Sequence, residues 1–425
     1  MDSLAFIVIA TCILGFGLVS GRVQKSVITP PMVFVLFGLL VSPRVFGWVD
    51  FDLDSRLIHI LAELTLVLVL FTDASRIDLR LLRKQHDLPI RLLLIGLPLT
   101  VVAGALIASL VFDVLTFWEA AVLAAILAPT DAALGQAVVS SPRVPVRIRQ
   151  TLNVESGLND GIALPVILIL LSVAGAAEHS GSASFWLRFT AQQVILGPLV
   201  GIAVAYVGGK LIERAARSGW INHTFQDLSA LGLSLLAFAG AEFIGGNGFI
   251  AAFCAGLTLG NCSRALCTCL YEFAEAEGQL LTLLIFMVFG GAMLPLVIDH
   301  VSGSTVLYGL LSLTAIRMIP VAVGLVGAHL RWETVVFLGW FGPRGIASIL
   351  FALLVVEESE LLGRETILVI VMTTVVLSVF AHGLTAYPGA NWYAARFAER
   401  KRKRDVPEHQ TVSEMPVRLP ESGSK

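Results

Sequence analysis

The feature that most constrains this chain is the recurrence, from Leu4 to Tyr387, of apolar runs of roughly 20 residues separated by short polar connections. As a helix, such a run crosses roughly 30 Å of hydrocarbon. There every backbone N–H and C=O must be satisfied within the protein, so helices are what the runs dictate. Only 14% of the residues are charged and 56% are hydrophobic, against about 25% charged in an ordinary soluble protein. The chain reads as an all-α integral membrane protein whose partner is the lipid bilayer. A net charge of -2 gives no electrostatic basis for a nucleic-acid partner.

The runs number about thirteen, near residues 4–20, 27–47, 57–75, 89–112, 118–140, 149–174, 186–214, 225–244, 246–262, 276–298, 304–329, 333–356 and 365–388. An odd number sets the two ends on opposite sides. Of the 29 lysines and arginines, 23 fall in the connections after odd-numbered spans or in the tail, while Arg44, Arg56, Arg188 and Arg364 occupy the other side. The positive-inside bias then puts the N-terminus outside and the C-terminus in the cytoplasm. The first run is preceded by Asp2 and followed by Arg22 and Lys25, the reverse of a cleavable signal peptide, and is expected to remain as a membrane helix. The chain divides into a membrane domain over 1–388 and a cytoplasmic tail over 389–425. In that tail Arg396 to Arg404 suit a basic juxtamembrane helix or a solvated charge run, and the last twenty or so residues are expected to be disordered.

Two spans are interrupted. Span 5 carries Pro129-Thr130-Asp131 and span 12 carries Gly342-Pro343-Arg344-Gly345, and each motif breaks the helical hydrogen-bond ladder inside an apolar segment. The freed backbone is tolerable only where protein or a water-filled cavity surrounds it. The two spans sit seven apart and take corresponding positions in two halves, about 1–175 and 225–388, linked by the span at 186–214. That pattern predicts two inverted-topology repeats whose discontinuous helices cross at the midplane. Asp131 and Arg344 can each neutralise a half-helix end; Asp131 fits that role and contact with an ion equally well.

Span 6 reads E-S-G-L-N-D. Glu155 and Asn159 are four residues apart, as are Ser156 and Asp160, so the pairs lie on adjacent stripes of one helix. Oxygen ligands suit a hard monovalent cation, and a buried carboxylate is neutralised by either a cation or a proton. Competition at one carboxylate is an exchange mechanism. Arg317, in span 11, is an intramembrane arginine that needs an acid, and pairing with it makes Glu155 structural.

With these residues in hand, the chain resembles the cation:proton antiporter-1 family over about Leu4 to Tyr387, through PTD in span 5, ESGLND in span 6, the arginine of span 11 and GPRG in span 12. The resemblance implies a thirteen-helix fold with a dimerisation domain and a mobile core that carries the ion by an elevator movement. It implies a homodimer, Asp160 as the carrier carboxylate, and further ion contacts from Thr130, Asp131 and Ser156. Asn159 matches the residue associated with electroneutral exchange, and Glu155 with Arg317 match the family's structural ion pair. The transported ion is expected to be Na⁺, with Li⁺ or K⁺ as alternatives, in the plasma membrane of a prokaryote and with no cofactor. Where many members have LFEGG in span 3, this chain reads LVLFTDAS, so Thr72 takes the acidic position and Asp73 follows it. Asp73 then replaces the missing carboxylate, lines the cytoplasmic entrance or pairs with Arg76. Ala132, where proline is common, is a milder departure.

Glu242, His59, His300 and His382 read as ordinary polar residues near span ends. Cys12, Cys254, Cys262, Cys267 and Cys269 are too few and too apolar in setting for a disulfide framework, and the last three lack a CxxC spacing or a nearby histidine, so free thiols fit best. A membrane-embedded hydrolase would need a GxSG, GxGD or HExxH motif, which the spans lack. A passive cation channel is the remaining competitor, and its conduction would need no counter-movement of protons.

Overall fold

The computed structural model describes residues 3–23, 26–51, 56–131, 133–178, 183–263, 277–358, 361–398, 407–410 and 412–416. Every regular element among them is helical: α1 (Ser3–Val23), α2 (Pro30–Val41), α3 (Arg56–Ser75), α4 (Leu79–Gln85), α5 (Asp87–Val111), α6 (Phe117–Ile126), α7 (Gln136–Val139), α8 (Val146–Glu178), α9 (Ala183–Arg217), α10 (His223–Phe243) and α11 (Gly248–Cys262) in the first part of the chain. Then come α12 (Glu277–His300), α13 (Gly303–Leu313), α14 (Ala315–Gly324), α15 (Trp332–Trp340), α16 (Ile346–Glu358), α17 (Arg364–Ala398) and a short turn at Pro407–His409. Nine described helices are long and apolar enough to cross a membrane, and four shorter apolar ones accompany them.

The irregularities follow from local sequence. In α5 and α12 the ladder widens to a π-helical turn at Leu92–Gly96 and Phe289–Met293. Each widening precedes a Leu-Pro pair, Leu97-Pro98 and Leu294-Pro295, where the ring of proline cannot donate and crowds the preceding turn. Span 5 is α6, an irregular stretch and the short α7; span 12 is α15, the stretch Phe341–Gly345 and α16.

Glycines set how closely the helices pack. A Cβ on Gly256 or Gly260 of α11 would lie 2.1 Å from the carbonyl oxygen of Phe71 or Ser75 in α3, and one on Gly201 would lie 2.2 Å from that of Ala251. Helix α11 therefore meets both α3 and α9 backbone to backbone. Gly38 of α2 and Gly290 of α12 make the same close approach to each other's helices. Against α8 the contact differs: Gly157 faces Ile77 Cδ1 and Gly161 faces the Phe253 ring, so side chains of α11 and of the turn after α3 fill the gap.

Helix α17 continues through Pro388 to Ala398, with the Arg396 guanidinium 6.0 Å from the Trp392 ring centroid; residues 399–406, which hold the remainder of the basic run, lie outside the described residues. Part of the end expected to be disordered is folded back on the protein. Residues 407–410 and 412–416 run beside the start of α8, with Glu408 and Met415 buried. Specific hydrogen bonds and one apolar anchor order this stretch, and composition does not report them.

Candidate ion-binding site at two crossing helix breaks

Helix α6 begins with a capping box in which Thr116 and Glu119 exchange side-chain-to-backbone hydrogen bonds, and it ends as Pro129 approaches. Its last carbonyls need donors. Ser348 Oγ donates to Ile126 O at 2.9 Å, and Arg344 Nη1 donates to Ala128 O at 2.5 Å and Pro129 O at 3.0 Å. Both donors come from the other broken span.

The reverse also holds. Asp131 Oδ2 accepts the Ile346 N–H that opens α16, at 3.1 Å; its Oδ1 accepts from Ala133 N at 2.8 Å, and its own N–H donates to Pro343 O at 2.8 Å. Each break thus presents a fixed charge to the half-helix end of opposite partial charge in its partner. Two glycines make room. A Cβ on Gly345 would lie 2.1 Å from Asp131 Oδ2, and one on Gly342 would lie 2.6 Å from Arg317 Nε.

Helix α17 closes the far side. The Arg344 N–H donates to Ser378 Oγ at 2.6 Å, Ser378 Oγ lies 3.2 Å from His382 Nδ1, and His382 Nε2 lies 2.9 Å from Trp340 O, at the end of α15. His382 Nδ1 also lies 3.0 Å from Ser378 O, so the ring is held at both nitrogens, with Nε2 set to donate to Trp340 O. His382, read from sequence as an interfacial residue, is completely buried.

Helix α8 carries the acids. Glu155, Ser156, Asn159 and Asp160 are all buried. Asn159 Nδ2 donates to Thr130 Oγ1 at 2.7 Å and to Thr130 O at 3.3 Å, and Thr130 Oγ1 lies 3.1 Å from Ser156 Oγ. The structure therefore joins Thr130, Ser156 and Asn159 in one network at the first break, with Asp160 next to Asn159 in the same helix. Pro165 lies inside α8 and removes the N–H that would ordinarily bond the carbonyl of Gly161. Glu155 Oε1 sits 2.6 Å from Arg317 Nη2, both side chains buried, just after the helix break at Thr314.

Thr72 is buried and its hydroxyl bonds back to Leu68 O at 2.6 Å. Asp73 reaches the flank of α8: a Cβ on Gly157 would lie 3.6 Å from the Asp73 carbonyl. Of the residues set aside, Glu242 accepts the Gly248 N–H at 2.7 Å, and His300 is exposed. Cys12 is buried, Cys254 half-buried and Cys262 exposed, all as free thiols; Cys267 and Cys269 lie outside the described residues. Among the described residues, no three His, Cys, Asp or Glu side chains cluster as a multivalent-metal site. Ser348, Ser378 and His382 are the participants that sequence reasoning missed. Only their position in apolar helices, where a polar side chain needs a partner, signals them.

Three comparisons bear on this geometry. The family model for the transmembrane sodium/hydrogen exchanger matches residues 6–392. The K(+)/H(+) antiporter NhaP of Alkalimonas amylolytica is 26% identical over 381 residues, covering 88% of this chain and 64% of that protein. The Na(+)/H(+) antiporter 2 of Zygosaccharomyces rouxii is 26% identical over 374 residues, covering 83% of this chain and 46% of that one. The chain thus spans roughly half to two thirds of the length of these relatives. The solved structure of the sodium proton antiporter MjNhaP1 from Methanocaldococcus jannaschii at pH 8 superposes with a TM-score of 0.74 at 19% identity, covering 92% of this chain and 99% of that one.

Proposed function

The chain belongs to the transmembrane sodium/hydrogen exchanger family, and from that footing we propose that it is a secondary antiporter exchanging a monovalent cation for H⁺. The observation that carries the reading is the buried cluster of Thr130, Ser156 and Asn159 oxygens and amide beside Asp160, at the crossing of two broken helices. A hard cation without its water needs several oxygen ligands and one compensating negative charge. Asp160 supplies the charge; Thr130 and Ser156 supply neutral oxygens. When the cation leaves, a proton takes its place on the carboxylate, so the two ions move in opposite directions through one site. Asp131 and Arg344 hold the breaks, with Asp131 near enough to the cluster to contribute, and Glu155 with Arg317 forms a structural ion pair. Asp73 and Thr72 line the approach from the cytoplasm.

Asn159 adds no second carboxylate beside Asp160, which favours electroneutral exchange. Na⁺ is the first reading of the cation; K⁺ is the second, favoured by the name of the Alkalimonas relative. We further infer inverted repeats over about 1–175 and 225–388, a homodimer, a prokaryotic plasma membrane with the N-terminus outside, and elevator-type alternating access. The test is dequenching of a pH-sensitive dye in vesicles holding wild-type or Asp160→Asn protein, with Na⁺, K⁺ and Li⁺ added in turn. Cation-dependent proton movement that disappears in the variant is expected. Movement that persists in folded Asp160→Asn protein would remove Asp160 from the mechanism.

A further inference from the structure

The folded-back tail is anchored at four places on the face of the protein where the positive-inside bias puts the cytoplasm. Glu408 is fully buried; its Oε1 accepts the Arg331 N–H at 3.0 Å and the Thr334 hydroxyl at 3.0 Å, so a carboxylate caps the N-terminal end of α15. Arg147 of α8 donates to Pro407 O at 2.6 Å and to Asp87 Oδ1 at 2.7 Å. Ser413 N donates to Gln85 Oε1 at 2.8 Å, at the end of α4.

The last anchor lies along α8 itself. Arg149 meets Glu414 at 3.1 Å, Gln150 exchanges hydrogen bonds with both backbone groups of Met415 at 3.0 and 3.2 Å, and Asn153 Nδ2 donates to Pro416 O at 3.2 Å. Met415 is 2% exposed and belongs to the main hydrophobic core. Gln150, Asn153, Gly157 and Asp160 recur at intervals of three and four residues, so they form one stripe of the helix. Seven residues separate Asn153 from Asp160, about 10 Å along the axis. The tail therefore lies on the stripe that leads to the carboxylate, two turns away.

We propose that residues 407–410 and 412–416 belong to an autoinhibitory strap: docked, the Met415-Pro416 end covers the cytoplasmic approach to Asp160, and transport requires that it lift. The proposal rests on the exchange reading for its consequence, but its contact is testable without transport. Asn153→Cys is introduced in the full chain and in a chain ending at Asp405, and the cysteine is exposed from the cytoplasmic side to a membrane-impermeant thiol reagent, with modification at residue 153 read by mass spectrometry. The same vesicles are assayed for cation-driven proton movement, alongside Met415→Asp in the full-length chain. The expected result is several-fold faster modification in the shortened chain, with several-fold faster transport there and in Met415→Asp, reduced again by an added peptide of residues 406–418. Equal modification rates would overturn the strap whatever transport does. Faster modification with unchanged transport would overturn its inhibitory role. Faster modification with no cation-driven proton movement in any form would uphold the cover and sink the exchange reading instead.

Discussion

The Glu155–Arg317 pair offers the most exacting test of the energetics. Both side chains are buried and their closest atoms are 2.6 Å apart. Arg317→Met keeps the volume and removes the charge, leaving Glu155 ionised without its counter-ion or forcing it to bind a proton. Two unit charges about 4 Å apart at an effective dielectric of about 20 attract by about 4 kcal/mol. Breaking a buried pair by removing one partner costs about 3–5 kcal/mol in measured cases. At about 1.4 kcal/mol per power of ten, the equilibrium between folded and unfolded protein should shift by roughly two to three and a half powers of ten. Glu155→Gln alone should also destabilise, because it strands the guanidinium. The double variant Glu155→Gln/Arg317→Met should be more stable than the sum of the single losses implies, since neither charge remains. Reversible unfolding in mixed micelles gives all four corners of the cycle. If Arg317→Met costs under about 1 kcal/mol, or if the two losses simply add, the pair is not what holds this part of the fold, and the structural role assigned to Glu155 falls.

Other expectations follow from the same contacts. Gly345→Ala should abolish a folded yield in membranes, because its Cβ would overlap Asp131 Oδ2, while Gly15→Ala, with nothing within 4 Å, should change stability by no more than about 1 kcal/mol; quantified membrane expression and melting distinguish them. Arg344→Lys keeps the charge but not the fork that reaches Ala128 and Pro129, and should lower stability by about 1.5–3 kcal/mol for the charged hydrogen bonding lost. The fold should lose stability in acid at His86. Burial holds the His86 imidazole below its ordinary value, with Arg147 adding to that and Ser413, Asp87 and Asp78 opposing it. The folded chain therefore favours the neutral ring, and this contribution to stability is complete above about pH 6.5 and is lost as the pH falls below it, which melting measured across pH 5–8 will follow. His86→Gln should flatten that profile.

The helical runs and their two interruptions are legible in the sequence because hydrocarbon leaves few alternatives: a proline set near a charge marks the breaks at Pro129-Thr130-Asp131 and Gly342-Pro343-Arg344-Gly345, whereas Pro165, Pro198 and Pro388 stay within continuous helices. Arg317 is legible for a similar reason, since a lone cation there demands an acid. The partners that complete the breaks are not. Ser378 and His382 are four residues apart in α17 and look like many polar residues in a long helix; only the fold brings α17 against Trp340 and Arg344. The tail is the sharpest case. Its prolines, serines and glutamates carry the composition of a disordered end, yet Glu408 and Met415 match a helix start and an apolar slot that are distant in sequence.

The site also constrains how Asp160 changes sides. The two breaks exchange five hydrogen bonds, counting Ser348 to Ile126, two from Arg344, Ile346 N to Asp131, and Asp131 N to Pro343, and Asn159 ties α8 to Thr130. At about 1 kcal/mol for a neutral bond and about 1.5–3 for a charged one, pulling the two breaks apart would cost on the order of 10 kcal/mol, and pulling α8 off Thr130 about 3 kcal/mol more for the two bonds from Asn159 and the one with Ser156. The contacts of α8 on its other flank are of another kind: the glycine faces at 157 and 161 meet the side chains of Ile77 and Phe253. Such a surface, apolar side chains against glycines, can slide by repacking. Movement of α8 together with both broken spans against α3 and α11 is therefore the cheaper route. Cysteines at Gly157 and Ile77, cross-linked by oxidation, should stop cation-driven proton movement, and reduction should restore it, with each single cysteine variant as the control. Transport that continues through the cross-linked protein would place the moving boundary elsewhere.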